Sequence, residues 1–143
     1  MISLKPITAA NWQEAARLEV TPEQADFIEP NVWSIAESRF YDALTALAIF
    51  QNRTMVGFLM WGFSPEDKRP WLYRFMIDWR HQGQGIGKTA LRLLLRDLES
   101  QGLPELNVGY HRDNLIAERL YLSLGFSKQG LAAWGELMCR MDF

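Results

Sequence analysis

The sequence predicts one mixed α/β domain spanning residues 1–143. Its 143 residues are 48% apolar and 22% charged, a composition that suits one folded domain and is too apolar for a disordered chain. Strand-like and helix-like segments follow the order β-α-α-β-β-β-α-β-α-β-β and alternate in the second half. Because a strand–helix–strand connection returns the chain in the same direction, at least two strands there should be parallel.

Several other protein classes are excluded by charge, cysteine content and hydropathy. The 15 basic and 17 acidic residues give a net charge of −2, so no general attraction to nucleic acid is expected. Cys139 is the single cysteine and allows no internal disulfide, and His81 and His111 lack metal-ligand spacing. No apolar run approaches the ~20 residues that span a bilayer. We therefore expect a soluble, cytoplasmic protein without metal, membrane or nucleic-acid partners.

The first part of the chain predicts an edge strand followed by two helical regions. Residues 2–7 alternate apolar and polar side chains, as a short edge strand does. Thr8 is a candidate cap for a helix over residues 12–18, in which apolar side chains follow the helical repeat. Residues 27–40 predict a second amphipathic helical region, broken near Pro30.

The middle of the chain predicts three strands. Residues 43–50 and 55–63 are apolar runs joined by a polar tetrapeptide, which is typical of a hairpin, and Gly57 is a candidate bulge. Residues 71–79, WLYRFMIDW, form the most strand-like run of the sequence. This run leads directly into a glycine-rich segment.

The remaining elements alternate between helix and strand. A helix over residues 88–100 carries a leucine stripe and ends at Gly102. A short strand follows at residues 106–110, then a helix at residues 114–124 that Gly125 closes. Residues 126–143 predict a final pair of strands.

Three glycines at alternate positions lie between the strongest predicted strand and the helix that follows it. Gly83, Gly85 and Gly87 lack a Cβ, so the main chain of this turn can bring its N–H groups close to a ligand. The N-terminus of the following helix adds free N–H groups and a positive dipole end, and Lys88 and Arg80 add charge. The segment therefore predicts a phosphate site, with a tight turn as the simpler alternative.

Two common phosphate motifs fit this turn poorly. The dinucleotide fingerprint G-x-G-x-x-G requires a glycine where Lys88 stands. The nucleotide-binding P-loop shares Gly87-Lys88-Thr89 but requires its leading glycine where Gln82 stands. Nucleotide hydrolysis therefore remains a minor alternative.

Two motifs about 30 residues apart carry a family resemblance. Gln82, Gly85 and Gly87 match Q/R-x-x-G-x-G/A. The second motif, N-x-x-A-x-x-L-Y-x-x-x-G-F, is matched by Asn114, Ala117, Leu120, Tyr121, Gly125 and Phe126. Over essentially its whole length the chain resembles the GNAT superfamily of acyl-CoA-dependent N-acyltransferases, in particular its small diamine and polyamine acetyltransferases. The resemblance implies a twisted, mostly antiparallel sheet of six to seven strands, with a splayed parallel pair and about four flanking helices.

The resemblance also implies where acetyl-CoA binds. The main chain of Phe75, Met76 and Ile77 would pair with the pantetheine arm, and a main-chain N–H near Phe75 or Met76 would stabilise the oxyanion. The pyrophosphate would bind to a loop made of Gln82, Gly83, Gln84, Gly85, Ile86, Gly87 and Lys88. Asn114 would contact pantetheine, although it could equally be a helix cap. Tyr121 would contact the cofactor and act as general acid on the leaving thiolate, unless it is only a core residue.

The acceptor amine must lose a proton before it attacks, since a primary amine has a pKa of about 10.4. Many family members carry a carboxylate on the splayed strand for this purpose, but residues 71–76 contain none and Asp78 is a candidate for orienting the loop. Glu29 is therefore the first candidate for a catalytic carboxylate, with Glu37 and Tyr73 as alternatives through water. A polyamine site should combine acids with aromatic faces, and the candidates for it are Glu29, Trp33, Glu37, Tyr41, Trp71, Tyr73 and Trp134.

The expected reaction is acetyl transfer from acetyl-CoA to a primary amine, foremost a diamine or polyamine. Cys139 lies outside both motifs, so we expect direct attack in a ternary complex without a covalent acyl-enzyme. The alternatives are another amine acceptor (an amino acid, an aminoglycoside or a protein N-terminus) and a non-catalytic acyl-CoA sensor. Exposed strand edges and the apolar C-terminal segment favour a homodimer.

Overall fold

A computed structural model of residues 1–143 contains seven strands and four α-helices. The strands are β1 (Ile2–Pro6), β2 (Leu44–Gln51), β3 (Thr54–Phe63), β4 (Pro70–Ile77), β5 (Glu105–Tyr110), β6 (Ser127–Leu131) and β7 (Leu137–Asp142). The helices are α1 (Trp12–Arg17), α2 (Asn31–Phe40), α3 (Ile86–Ser100) and α4 (Leu115–Ser123), with short 3₁₀ turns at Ala25–Phe27 and Trp79–His81.

The strands form one sheet in the order β1-β2-β3-β4-β5-β7-β6. Every neighbouring pair is antiparallel except β4 and β5, which run parallel. This arrangement confirms the expected mixed α/β fold, including the mostly antiparallel sheet and its parallel pair. No helix has the length and apolar character that a membrane crossing requires.

The helices cover both faces of the sheet, and each face has its own core. The leucine stripe of α3 (Leu91, Leu94 and Leu98) packs with α4 and with alternate residues of the central strands. On the other face, Ala15 of α1 and Ile35 of α2 pack against the intervening residues of the same strands. The uninterrupted run of buried residues along β3 follows from this two-sided burial.

Some element boundaries differ from the sequence-based expectation. Thr8 does not cap the first helix, because Asn11 directly precedes its first residue, Trp12. The Asn11 side chain accepts from the Thr8 N–H and donates to the Pro6 carbonyl, which makes residues 8–11 a turn. Helix α3 begins two residues early, at Ile86, because Gly85 already adopts the left-handed conformation that starts it.

The parallel pair joins over only two residue pairs, Trp71–Asn107 and Leu72–Val108. On the opposite side of β4, Trp61 of β3 pairs with Leu72 and the preceding residue of β3 pairs with Arg74, so Tyr73 is a bulge. A bulge bends its strand and increases its twist. Beyond the bulge, β4 and β5 continue without pairing with each other and diverge.

Candidate active site

The diverging ends of β4 and β5 open into a cleft of about 1370 Å³. This volume exceeds the roughly 300–1,000 Å³ of ordinary small-ligand pockets, so the cleft has room for two substrates together. It is lined by both strands, the glycine turn, the start of α4, the segment before α2 and the turn before β7. The predicted cofactor residues on its wall are Phe75, Met76, Ile77, Gln82, Gly83, Gly85, Ile86, Gly87, Lys88, Asn114 and Tyr121.

The glycine turn presents a row of unpaired main-chain donors. Gly83 and Gly85 both have a φ of 77°, in the left-handed region that favours glycine, and a Cβ at either would meet no atom within 4 Å. The N–H groups of residues 83–88 donate to no other group of the chain. Together with the positive end of the 15-residue helix α3, they form a site suited to an anion.

Position 87 is occupied by glycine for a different structural reason. A Cβ at this position would lie 3.1 Å from Cζ of Phe75, which is closer than ordinary van der Waals contact. Glycine here therefore allows the first turn of α3 to pack closely on β4. The three alternating glycines thus combine two left-handed turn positions with one close contact.

Gln82 fixes the start of the turn. Its side-chain amide donates to the carbonyl of Ile77 at 2.9 Å and exchanges hydrogen bonds of 2.8 and 3.3 Å with the amide of Gln24. Gln24 belongs to the segment that lines the cleft in front of α2. Gln84, which was also predicted to contact the cofactor, does not line the cleft.

Asp78 is buried directly after β4 and orients the chain on both sides of the cleft. Its carboxylate accepts from the N–H of Glu19 and from both the N–H and the guanidinium of Arg80. Burial alone would raise the pKa of Asp78, but these hydrogen bonds outweigh it and hold the pKa below its ordinary value. The contacts agree with the loop-orienting role proposed for Asp78.

Helix α4 supplies Asn114 and Tyr121. The Asn114 carboxamide oxygen accepts from the N–H of Ala117 at 3.2 Å, so this residue caps α4 while still lining the cleft. Tyr121 is buried, with its ring packed between those of Tyr110 and Phe126 at centroid distances of 5.7 and 5.5 Å. Burial raises the pKa of Tyr121 above its ordinary value, so the phenol stays protonated and available as a proton donor.

The other half of the cleft is aromatic and acidic. Trp71 and Trp134 meet edge to face with ring centroids 6.2 Å apart. The indole N–H of Trp71 donates to the carboxylate of Asp67, at 3.0 Å for the shorter of two contacts, and that of Trp134 donates to Glu136 at 2.7 Å. Each indole therefore holds one carboxylate at the cleft.

Of the predicted acceptor residues, Glu29, Trp71 and Tyr73 line the cleft, as does Trp134. Glu29 is exposed on the cleft wall. Burial is the main cause that raises the pKa of Tyr73, with smaller contributions in the same direction from nearby carboxylates, so its phenol is neutral and a poor proton acceptor.

The candidates on or after α2 lie outside the cleft. Trp33 and Tyr41 are 60% and 61% exposed, because Asn31, Ser34 and Ile35 form the buried face of the helix. The carboxylate of Glu37 lies 3.6 Å from the guanidinium of Arg74 and is not among the cleft-lining groups.

Sequence reasoning overlooked four acids of the cleft, namely Asp26, Glu66, Asp67 and Glu136. The available signal for two of them was proximity to tryptophan in turn segments: Asp67 is four residues before Trp71, and Glu136 is two residues after Trp134. Nowhere in the chain do three or more His, Cys, Asp or Glu side chains gather as a metal ion would require.

The residues present fit acetyl-CoA on structural grounds. The row of unpaired N–H groups suits a diphosphate, and the unpaired edge of β4 beyond Leu72 suits the amide groups of a pantetheine arm. The cleft between them is continuous from the glycine turn to Tyr121.

Comparison with known proteins agrees with this geometry. Residues 12–126 match the model of the Acetyltransferase (GNAT) family. The chain is 30% identical over 136 residues to the spermine/spermidine N(1)-acetyltransferase of Bacillus subtilis, covering 90% of each chain.

Two solved structures share the fold at low sequence identity. An acetyltransferase from Thermus thermophilus superposes with a TM-score of 0.84 at 20% identity, covering 100% of this chain and 97% of that one. PaiA N-acetyltransferase from Thermoplasma acidophilum, solved in complex with coenzyme A, gives a TM-score of 0.76 at 17% identity, covering 100% and 99% of the two chains.

Proposed function

Because the chain belongs to the GNAT family of acetyl-CoA-dependent N-acetyltransferases, we propose that it acetylates a small diamine or polyamine in a ternary complex. The observation that carries the proposal is the single cleft that joins an anion site, a buried tyrosine and an acidic, aromatic wall. The likeness to a spermine/spermidine acetyltransferase over 90% of both chains supports the choice of acceptor.

The cofactor site uses the glycine turn and the free edge of β4. The main-chain N–H groups of residues 83–88 bind the pyrophosphate, with the Lys88 ammonium adding charge. Gln82 holds the start of this turn, and Gln84 lies within it but outside the cleft lining. The main chain of Phe75, Met76 and Ile77 binds the pantetheine arm, whose far end reaches Asn114 and Tyr121.

Bound acetyl-CoA supplies an acetyl thioester to the point where the two strands diverge. Tyr121 donates the proton that the leaving sulfur needs, since burial keeps its phenol protonated and the hydroxyl has no hydrogen-bond partner within the chain. A main-chain N–H near Phe75 or Met76 stabilises the oxyanion. No covalent acyl-enzyme is needed, because the only thiol, that of Cys139, is buried and outside the cleft lining.

The acceptor half of the cleft suits a flexible polycation. Asp67, Glu29 and Glu66 give it negative charge, and the faces of Trp71 and Tyr73 offer cation–π contacts to an ammonium group. Trp33, Glu37 and Tyr41 lie outside this cleft and are therefore second-rank candidates. A polyamine with several ammonium groups would use the acids at some distance from the amine that reacts.

Parallel assays test the proposal. Acetyl-CoA turnover is measured with spermidine, spermine, putrescine and a short alanine-terminated peptide, and coenzyme A binding is measured by calorimetry. We expect kcat/KM for a polyamine to exceed that for the peptide at least tenfold. Asp67→Asn should raise KM for spermidine severalfold and leave coenzyme A affinity unchanged. A preference for the peptide would replace the polyamine with a protein N-terminus, and binding of coenzyme A without turnover of any amine would identify a sensor.

A homodimer belongs to the same proposal. The edge strand β6 is exposed along its whole length, including the apolar side chain of its last residue, Leu131. The apolar side chain of the C-terminal residue, Phe143, is also exposed. Sedimentation equilibrium tests this part, and a mass equal to 16.6 kDa at all concentrations would overturn it.

A further inference from the structure

The acetyl transfer described above requires a group that accepts the proton of the acceptor ammonium. Strand β4 offers no free carboxylate at the cleft, because its segment from Pro70 to Ile77 contains no acid. Asp78 follows the strand but is buried, and its carboxylate already accepts several hydrogen bonds from Glu19 and Arg80. The proton acceptor must therefore come from another element.

Glu136 reaches the opening of the sheet from the turn before β7. Gly109 of β5 is opposite Met138, the second residue of β7, and Glu136 directly precedes that strand. A Cβ built on Gly109 would lie 3.1 Å from Oε1 of Glu136. The carboxylate thus occupies the space that a side chain at position 109 would fill. Gly109 is one residue beyond Val108, the last residue of β5 that pairs with β4.

This position is fixed by local contacts. The turn is closed by hydrogen bonds from the Ala132 N–H to the Glu136 carbonyl at 2.7 Å and from the Gly135 N–H to the Ala132 carbonyl at 3.0 Å. The indole N–H of Trp134 donates to Oε1 of Glu136 at 2.7 Å. No cation forms an ion pair with Glu136, so its carboxylate is not occupied by a lysine or arginine.

Glu136 lines the same cleft as the proposed general acid, Tyr121. Glu136 is the one carboxylate whose charge contributes to the raised pKa of Tyr121, after the larger effects of burial and Cys139. Other titratable side chains also line the cleft. Asp67 accepts from the indole of Trp71, Glu66 accepts from the hydroxyl of Ser64, and the ring of His111 packs on that of Phe27 with centroids 5.0 Å apart. Two more are the phenols of Tyr73 and Tyr110. The hydroxyl of Tyr110 donates a hydrogen bond to Glu118 at 2.7 Å, so its proton is already engaged.

We propose that Glu136 is the general base, whose carboxylate over Gly109 accepts the proton of the acceptor ammonium while Tyr121 protonates the leaving sulfur. The ammonium gives its first proton to Glu136, directly or through one water molecule. The free nitrogen forms a bond to the thioester carbonyl carbon, and the carbon–sulfur bond breaks. The sulfur takes the proton of Tyr121, the second proton of the nitrogen restores the phenol, and Glu136 releases the first proton to solvent.

The inference rests on acetyl transfer as the proposed function but not on which amine is the acceptor. It assigns to Glu136 a role for which the sequence offered Glu29, Glu37 and Tyr73. Glu29 is exposed on the cleft wall, so its substitution should affect amine binding. Glu37 is paired with Arg74, so its substitution should affect stability.

Glu136→Gln tests the assignment, because the amide carbonyl keeps the hydrogen bond from Trp134. We expect kcat with the best amine to fall about 100-fold or more at pH 7, as the loss of a general base does. The deficit relative to wild type should shrink as pH rises toward the pKa of the amine, since solvent then removes the proton. Calorimetry should give unchanged affinities for coenzyme A and for the amine added to the coenzyme A complex.

Two further variants make the result unambiguous. Glu136→Asp keeps the carboxylate and should retain more activity than Glu136→Gln. Glu99→Gln, an exposed acid on α3 with no ion pair, should leave kcat unchanged. A pH-independent deficit, a loss confined to amine affinity, or equal kcat in wild type and Glu136→Gln would each overturn the assignment. Absence of wild-type turnover with every amine would instead contradict the proposed function.

Discussion

Gln24 and Gln82 join the two halves of the cleft through a reciprocal pair of side-chain hydrogen bonds, 2.8 and 3.3 Å long. Gln82 begins the anion-binding turn, and Gln24 lies in the segment that lines the acceptor half. The two segments meet again where the Glu19 N–H donates to Asp78. The proposed cofactor and acceptor sites therefore share one hydrogen-bonded support.

Gln24→Ala should weaken both binding steps. The loss of about 1 kcal/mol of hydrogen bonding frees the acceptor segment and the start of the turn, so KM for the amine and the Kd of coenzyme A should each rise roughly fivefold. Steady-state kinetics and calorimetry measure the two effects. Gln13→Ala, at an exposed position of α1, is the control, and an unchanged Kd for coenzyme A in Gln24→Ala would contradict a shared support.

Tyr121→Phe should remove catalysis while preserving the fold. The hydroxyl makes no hydrogen bond within the chain, so thermal stability and coenzyme A affinity should stay near those of wild type, whereas kcat should fall about 100-fold or more. Because the pKa of Tyr121 is raised, its ionisation should cause no loss of kcat in wild type up to about pH 10.

Tyr110→Phe is the control variant, because the hydroxyl of Tyr110, unlike that of Tyr121, makes hydrogen bonds within the chain. It loses hydrogen bonds to Glu118 and Cys139 and should cost about 1 kcal/mol, seen as a lower melting temperature. A Tyr121→Phe variant with wild-type kcat would remove the phenol from the reaction.

Gly85→Ala should affect both stability and cofactor binding. An alanine at a φ of 77° costs about 1 kcal/mol, and relief of that strain turns the N–H groups of the loop away from a diphosphate. We expect coenzyme A affinity, measured by calorimetry, to fall at least tenfold. Gly102→Ala has a similar φ of 83° with open space around its Cβ but lies beyond the far end of α3. It should lose comparable stability with no change in affinity, so an equal affinity loss in both variants would indicate a global effect.

Asp78→Asn should lower stability in a pH-dependent way. The carboxylate is buried under donors from Glu19 and Arg80, so its replacement should cost about 2–4 kcal/mol in urea unfolding at pH 7. Because the folded-state pKa of Asp78 is depressed, its stabilising contribution is complete above the unfolded-state pKa of about 3.9 and is lost as pH falls through the folded-state value. The difference between wild type and variant should therefore narrow in acid, and a constant difference from pH 7 to pH 2 would argue against a charge effect.

The parts of the site that lie in one continuous segment could be predicted from the sequence. The glycine turn follows a strong strand and precedes a leucine-striped helix, and local geometry alone places its N–H groups at the start of α3. Asn114 and Tyr121 share one short helix, so their positions follow from a single motif. The alternation of strands and helices likewise predicted the parallel pair.

The acceptor half could be predicted only in part, because its residues meet through long-range packing. Trp33 faces solvent because Asn31 anchors the opposite side of α2 through a hydrogen bond to the Ala15 carbonyl, a contact between two helices. Glu37 is held by Arg74 from the sheet. Glu136 lies beside Gly109 only because β7 pairs with β5 in a register that sets Gly109 opposite Met138.

Only two residue pairs join β4 to β5, whereas every other pair of neighbouring strands in the sheet is joined by at least four. The four strands on one side and the three on the other each form a continuous hydrogen-bonded ribbon, whereas the seam between them relies mainly on the side chains of α3 and its neighbours. Small changes in the angle between the ribbons can therefore occur without rupture of any strand pairing. A ligand that hydrogen-bonds to both β4 and β5 would link the two ribbons. Its binding should slow amide hydrogen exchange along the unpaired edges of both strands at once.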